Sequence, residues 1–330
     1  MLEKFLQPLQ PHQAKLKLFG EKAERVQGAE YDAVIEELQK DFSARFQVLR
    51  SAEQLQDKES FGDIDLICLP DEPIDETFFQ NILGDRFLEH RRNGSIHSVL
   101  IKLNSGKQVH VDFIRAKDEI DLERKHMYYS KGHISSMIGM LAKKLNFKYG
   151  TEGFFKRFQD KRGNWHDILV GDSLRDGLAI MGFELEIYDD IHNIDNIVAF
   201  ISGSPFFDSS YFGSENMVQR DRQSLKRNQA EDYLAQKLRE KQQTRSVADE
   251  DELFRRLFPD KFRRFVEEAE NIDKETYKAG AINGKKVMEV FQIKPGLDVR
   301  KILKFLSDNY PEAEELSGEI IEAVKRKVLA

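Results

Sequence analysis

The sequence predicts an α+β protein, with a mixed sheet that has helices before it and inside it, and mainly helical domains after it. Two kinds of pattern carry that expectation. Residues 46–51, 64–69, 96–103 and 107–114 are short runs rich in β-branched, aromatic and other apolar side chains, the pattern of strands. Before and after this block, apolar residues recur at helical three- and four-residue spacing, and Gly-containing breaks punctuate the chain.

Residues 1–45 read as N-terminal helices, with Tyr31, Val34, Ile35, Leu38 and Phe42 on one side of the last of them. A sheet domain then spans 46–125. Its 64–69 run is almost continuously apolar, as in a strand buried on both faces. The polar stretch before it, ending at Gly62, reads as a loop or short helix. Asn104-Ser105-Gly106-Lys107 is a hairpin signal between two strands. In the second of these, alternation puts His110, Asp112 and Ile114 on one face and Val109, Val111 and Phe113 on the other.

A second domain is expected over 126–215. It begins with a helix lined by Ile134, Met137, Ile138, Leu141 and Leu145, where methionine reads as core filler. A hairpin turns at Arg162-Gly163-Asn164, and a later helix is capped by Asn193 or Asp195. Residues 216–252 are highly charged and read as a connecting helix that frays near Thr244 to Glu252. Residues 253–330 read as a helical C-terminal domain.

Composition narrows the function classes. The 330 residues carry 51 Lys+Arg against 58 Asp+Glu, a net charge of −7, so global charge gives no support for a nucleic-acid partner. Local basic pairs do occur: Arg91-Arg92, Lys226-Arg227, Arg255-Arg256, and Lys261 with Arg263-Arg264. Each reads either as a solvated helix face or as a nucleic-acid contact. The single cysteine, Cys68, excludes an internal disulfide and a cysteine-cluster metal site, and reads as buried and inert. No apolar run approaches the roughly 18 residues of a membrane span, and residues 1–13 lack the long apolar stretch of a signal peptide. A cytoplasmic protein without a membrane partner is expected.

The chemistry concentrates at Ser60-Phe61-Gly62-Asp63-Ile64-Asp65-Leu66-Ile67. Two aspartates one residue apart on a strand face the same way, while Ile64 points into the core. Like charges this close are costly unless neutralised, and magnesium neutralises them with hard carboxylate oxygens while leaving positions open for phosphate. Gly62 is read as the sharp turn into the strand. A third acid, Asp112, lies on a later strand between Val111 and Phe113. Three such carboxylates can hold two divalent ions about 3.5–4 Å apart. In that scheme Asp63 and Asp65 bridge two Mg2+ ions (or Mn2+), and Asp112 touches one ion and accepts the proton of the attacking hydroxyl.

These residues resemble the signature of the DNA polymerase beta-like nucleotidyltransferase superfamily: an apolar residue, Gly, Ser or Gly, a spacer, then Asp-apolar-Asp. Here Leu49-Arg50-Ser51 and an eleven-residue spacer precede Asp63-Ile64-Asp65. The resemblance implies a polymerase beta-like palm, with Ser51 at the nucleotide's terminal phosphates. Arg50 stands where the family has glycine. The family's triphosphate-binding arginine has no counterpart in the spacer, whose one basic residue is Lys58. Arg91-Arg92-Asn93-Gly94-Ser95 is similar to the basic hairpin that leads to the third aspartate in family X polymerases. Tyr128-Tyr129-Ser130-Lys131-Gly132-His133 is similar to their segment beside the incoming sugar. The resemblance covers roughly residues 46–205.

Residues 283–296 are similar to the tail of bacterial-type tRNA nucleotidyltransferases and poly(A) polymerases, with the next helix from Val299 to Leu306 capped by Asp298. Ile293-Lys294-Pro295-Gly296-Leu297 also reads as a helix-hairpin-helix turn, or as a helical hairpin that simply packs.

Beside these, His110 reads as a neutral imidazole at the site's rim, because a magnesium site is an oxygen site. His133 reads as a substrate contact, and His126 lies at the other side of the tyrosine pair. Tyr128 and Tyr129 read either as stacking partners of a base or sugar or as core. Trp165 beside His166 reads as hairpin packing, and Asp189-Asp190 as charge at a helix N-terminus. No Walker-type loop, dinucleotide fingerprint or zinc motif is present.

The expected activity is a metal-dependent transfer of a nucleoside monophosphate from an NTP to a hydroxyl, with RNA (tRNA included) favoured over DNA as acceptor. The alternatives are a template-directed family X-like DNA polymerase, AMP transfer to a protein, and a degenerate binding module. The residues expected to serve are Asp63, Asp65 and Asp112 at the metals. At the nucleotide they are Arg50, Ser51, Lys58, Gly62 and Tyr128 through His133. At the nucleic acid they are Arg91, Arg92, Lys226, Arg227, Arg263 and Arg264.

Overall fold

The computed structural model describes residues 18–278, 282–310, 313 and 315–329. The helical expectation for residues 1–17 therefore lies outside the described residues. The chain divides into two compact units, one of Met1–Phe154 with Gly171–Leu257 and the other of Phe155–Val170 with Phe258–Ala330. The segments expected as sheet, second domain and connecting helix share the first unit, apart from residues 155–170.

The first unit opens with β1 (Val26–Gln27) and α1 (Gly28–Phe42). Helix α1 buries Tyr31, Val34, Ile35, Leu38 and Phe42, the side read from the sequence. Its start is closed by a reciprocal cap between Gln27 and Glu30. β2 (Phe46–Ser51), β3 (Ser60–Phe61) and β4 (Ile64–Pro70) follow, and β3 pairs with β1. Next come α2 (Glu76–Leu83), β5 (Phe87–Asn93), β6 (Ile96–Lys102) and β7 (Gln108–Arg115). Gly94 and Gly106 take positive φ in the two tight turns around β6, which is where glycine is needed.

The mixed five-stranded sheet has the order β2-β4-β7-β6-β5. Only β4 and β7 run parallel; the other neighbours are antiparallel. One face carries Ile64, Leu66, Cys68, Val99, Ile101, Val109, Val111 and Phe113, packed against α1 and α2. Phe42, Phe46, Phe79 and Phe113 meet there at ring-centroid distances of 4.8–6.1 Å. Truncating one such ring to alanine costs ~3–5 kcal/mol. Cys68 is fully buried here, its thiol pushed up to about 12 by burial, so it is inert as read. The other face packs Ile67 and Ile114 with Ala52, Ala116 and Leu122, but leaves its upper end to acids.

α3 (Glu119–Tyr129), capped by Asp118, and α4 (Ile134–Lys144) follow, then β8 (Phe147–Gly150), β9 (Gly153–Gln159) and β10 (Trp165–Gly171). α4 buries Ile134, Met137, Ile138 and Leu141, so its methionine is core. Three helices come next: α5 (Leu174–Ile180), α6 (Leu185–Asp189) and α7 (Ile194–Gly203), the last capped by Asn193.

The expected connecting helix is instead two, α8 (Gln219–Arg227) and α9 (Gln229–Arg239), followed by non-helical chain up to α10 (Glu252–Leu257). Asn228 sits between them in an extended conformation and caps α9. Leu225, Leu234, Ala235 and Leu238 are buried, so this charged segment packs as part of the unit. Asp189-Asp190 also differs from expectation. The pair closes the C-terminal end of α6, where Asp189 is neutralised by both terminal nitrogens of Arg175 at 2.8 and 2.9 Å.

The second unit combines the β9–β10 hairpin with α11 (Pro259–Lys278), α12 (Gly284–Phe291), α13 (Leu297–Asn309) and α14 (Gly318–Lys327). Asn283 caps α12, and Gln292 ends it in the left-handed region at φ 51°. The next helix starts at Leu297, with Gly296 at its N-cap. Asp298, expected to be the cap, therefore lies in its first turn, two residues after Gly296. Val287, Val299, Ile302, Leu306, Ile320 and Val324 form its core. No described helix is long and apolar enough to cross a membrane.

Candidate active site

Strand pairing brings the aspartates together. Asp65 on β4 lies directly opposite Asp112 on the parallel strand β7, so the two side chains share a face. Asp63 stands two residues before Asp65, in the bend that enters β4. Burial, then the charges of Asp63 and Asp112, push the Asp65 carboxyl up to about 8. Tyr129 is also affected, its hydroxyl raised to about 12 by burial, with the charges of Asp65 and Asp112 adding to it. Strand register puts Asp65 and Asp112 side by side, and the charges of Asp63 and Asp112 both act on Asp65.

Asp112 is held from two sides. Ser98 donates its hydroxyl to Asp112 Oδ1 at 2.5 Å, and His110 Nε2 lies 2.8 Å from the same oxygen. His110 was expected to be neutral. Burial opposes its charge, but the hydrogen bond it donates to Asp112 and the charges of all three aspartates outweigh burial and raise its pKa toward imidazolium. Neither Asp63 nor Asp65 has such a partner among the described residues.

Asp63 and Asp65, but not Asp112, line a cavity of about 520 Å3 together with Arg25, Gln54, Lys58, Gly62, Tyr128, Tyr129, Gly132, His133, Ser135, Ser136, Asn228 and Ala230. Lys58 bonds Gln54 at 3.2 Å and lies 4.5 Å from the Phe61 ring centroid. Burial lowers its pKa, and the charges of Asp63 and Asp65 oppose that shift only in part. His133 is lowered chiefly by burial, and its ring meets the Asn228 side chain at 3.2 Å.

Several expected nucleotide contacts lie elsewhere. Ser51 pairs with Leu66, whose side chain is on the core face, so its hydroxyl is directed away from the face of Asp65. Its carbonyl oxygen accepts from His126 Nε2 at 3.1 Å. Arg50 forms a surface ion pair with Glu123 at 2.8 Å. Ser130 and Lys131 are buried on the far side of their segment. Ser130 Oγ accepts from the Glu53 amide, and Lys131 Nζ bonds Glu53 and the carbonyl oxygens of Asp189 and Ile191. The reason is backbone geometry, because Lys131 (φ 60°) and Gly132 (φ 63°) turn the chain through the left-handed region. Ser130, Lys131 and His126 line a separate cavity of about 510 Å3 with Arg124, Arg175 and Tyr188.

Gly62 is in the cavity wall, but not for the reason expected. It has no positive φ; a Cβ there would lie 3.0 Å from Arg25 Nη1. Arg25 is itself the residue that sequence reasoning missed. Ser60 fixes it through Nε to Oγ at 3.0 Å and Nη2 to the carbonyl oxygen at 2.8 Å. The signal was pairing of β1 with β3, two strands of two residues each, too short to read from periodicity. Asn228 was missed for a related reason, since a cap inside a charged run is masked by the run.

The basic pairs scatter. Arg91 pairs with Glu89, Arg92 bonds the Gly94 carbonyl, and both are on the edge strand β5. Lys226 and Arg227 end α8 in the first unit, while Arg263, paired with Asp260, and Arg264 are on α11 of the second. Trp165 was expected to pack within its hairpin, yet it is 54% exposed at the start of β10.

Among the described residues, no three His, Cys, Asp or Glu side chains are already drawn together as a closed ligand set. The donor chemistry nevertheless fits a hard divalent cation. Asp63 and Asp65 face one polar cavity, Asp112 lies beside Asp65 on the neighbouring strand, and the charges of Asp63 and Asp112 both bear on Asp65. The chain matches no protein-family model and no curated protein.

Proposed function

We propose that the chain is a nucleotidyltransferase with a polymerase beta-like palm, which moves a nucleoside monophosphate from an NTP to a hydroxyl and releases pyrophosphate. One observation carries this reading: Asp65 and Asp112 are in register on parallel neighbouring strands, and Asp65, with Asp63 two residues before it, lines a roomy polar cavity. Asp63, Asp65 and Asp112 would hold two Mg2+ ions, which supply charge neutralisation for a phosphoryl displacement. Arg25, from outside the spacer, joins Lys58 of the spacer at the cavity wall, and together they provide positive charge for the triphosphate. Tyr129, Gly132 and His133 border the space for the sugar and base. Asp112, held by Ser98 and His110, is oriented to take the proton from the attacking hydroxyl.

We assign the acceptor to the 3′-end of a nucleic acid, RNA ahead of DNA, on the likeness of residues 283–296 to RNA-acting nucleotidyltransferases. The test is incubation with magnesium, each labelled NTP or dNTP, and tRNA, single-stranded RNA or primed DNA. Growth of an RNA 3′-end supports the reading. Templated growth of primed DNA alone would replace RNA by DNA, and label on protein alone would remove the nucleic-acid acceptor.

A further inference from the structure

The β9–β10 hairpin has one face packed and one face open. On the packed face, Phe158 stacks on His166 and meets Phe265 of α11. The open face carries Trp165, Asp167 and Leu169 in alternation, with Trp165 54% and Leu169 46% exposed. Arg157 on the neighbouring strand lies over the Trp165 ring at 5.4 Å and bonds Asp167 through Nε at 2.7 Å. An exposed tryptophan with a guanidinium stacked on it is not explained by folding of the hairpin, because the core lies on the other side.

The tip is built rather than loose. The buried Asp160 carboxylate accepts from the backbone amides of Arg162 and Asn164, each at 2.9 Å, from the Asn164 side chain at 3.1 Å, and lies 2.8 Å from His166 Nε2. Gly163 takes φ 84° in the turn. The Lys161 amide is tied to Asp273 of α11 at 3.1 Å. This leaves the Lys161 and Arg162 side chains without an ion pair to a described acid. Residues 153–171 hold four basic and two acidic side chains in a chain of net charge −7, so the hairpin has the opposite sign to the protein as a whole. The two acids are already engaged, Asp160 inside the tip and Asp167 by Arg157.

We propose that this hairpin face binds single-stranded nucleic acid, with an unpaired base stacked on Trp165 and adjacent phosphates held by Lys161 and Arg162. The occupant follows from chemistry. A flat aromatic surface beside cations carried on a fixed turn matches a strand that alternates bases with phosphates. A duplex hides its base faces, so it lacks the stacking partner. Fixing the tip in advance lowers the ordering cost on binding. The proposal deepens the nucleic-acid acceptor reading and rests on it.

Trp165 is the one tryptophan in the chain, so its emission reports on this face alone. Titrating the full chain with a 12-nucleotide oligoadenylate RNA, without NTP or metal, should quench that emission, and a duplex of equal length should compete poorly with it. Lys161→Glu with Arg162→Glu should weaken binding at least about tenfold and reduce the salt slope by about one to two. Trp165→Leu, followed by anisotropy of labelled RNA, should lose about tenfold. RNA that binds while Trp165 emission and the Lys161/Arg162 variant are unaffected would overturn the proposal. Equal quenching by inorganic polyphosphate would reduce it to anion attraction and overturn it as well. An emission that changes with protein concentration and not with RNA would make the face a contact between copies of the chain. Because no catalysis is involved, these outcomes are separate from nucleotidyl transfer to a short acceptor, which can survive any of them.

Discussion

Asp65 and Asp112 face one another across a parallel strand pair, and the carboxyl of Asp65 is shifted up to about 8 by its burial and by the charges of Asp63 and Asp112. The fold thus keeps acids together at a cost in stability that a bound cation would relieve.

Neutralising one acid should separate stability from activity. Asp65→Asn keeps the shape and cannot ionise, so at pH above about 8, where the native carboxyl is charged, the metal-free variant should melt higher than the wild type, by about 2–4 °C for each kcal/mol gained. Nucleotidyl transfer should disappear in the same variant. Asp112→Asn should lower the rate by ~10²–10⁴, the range for loss of a proton acceptor. Thermal melts and single-turnover assays check both.

The pH dependence has a definite sign. A carboxyl raised in the folded state favours the protonated form. Its contribution to stability is full below the ordinary carboxylate value of 3.8 and is lost as pH rises through about 8. Metal-free protein should therefore lose stability across that window, and Mg2+ should bind more tightly as pH rises through it, releasing a proton. Melts with and without Mg2+ at pH values from between the two arms of the titration to about one unit above 8 measure both trends.

Arg25 supplies charge from outside the motif. Arg25→Ala should raise KM for the NTP by about 10–100-fold, the value of a charge-assisted hydrogen bond, with little change in kcat. Steady-state kinetics with varied NTP distinguish this from a fold defect, which would lower the amount of active enzyme instead.

Gly132 shapes the cavity wall. At φ 63° a side chain is strained, and a Cβ would lie 3.2 Å from Leu55 Cδ1. Gly132→Ala should cost ~1–2 kcal/mol of stability and lower kcat/KM. Denaturant unfolding of the variant tests the first part.

Much of this architecture was legible in the residues. The strand alternation of Val109, Val111 and Phe113 against His110 and Asp112 is a two-residue period, and the buried side of α1 is a helical one; both survive in the fold because burial enforces them. The third aspartate was legible for the same reason. Arg25 was not, because its position comes from the pairing of β1 with β3 across more than thirty residues, and pairing leaves no mark on two-residue strands. Ser130 and Lys131 were placed on the wrong side of their segment, since a non-glycine left-handed residue such as Lys131 gives no local warning. The open tryptophan was misread because an aromatic in a hairpin says nothing about which face another element will cover.

Counting bound Mn2+ by electron paramagnetic resonance, in the presence of a non-hydrolysable NTP analogue, addresses the three carboxylates most directly. The account predicts about two ions per chain, in line with a two-ion phosphoryl-transfer site, and their loss in Asp65→Asn. A wild-type protein that binds no Mn2+, or an Asp65→Asn protein that binds as many ions as the wild type, would contradict it.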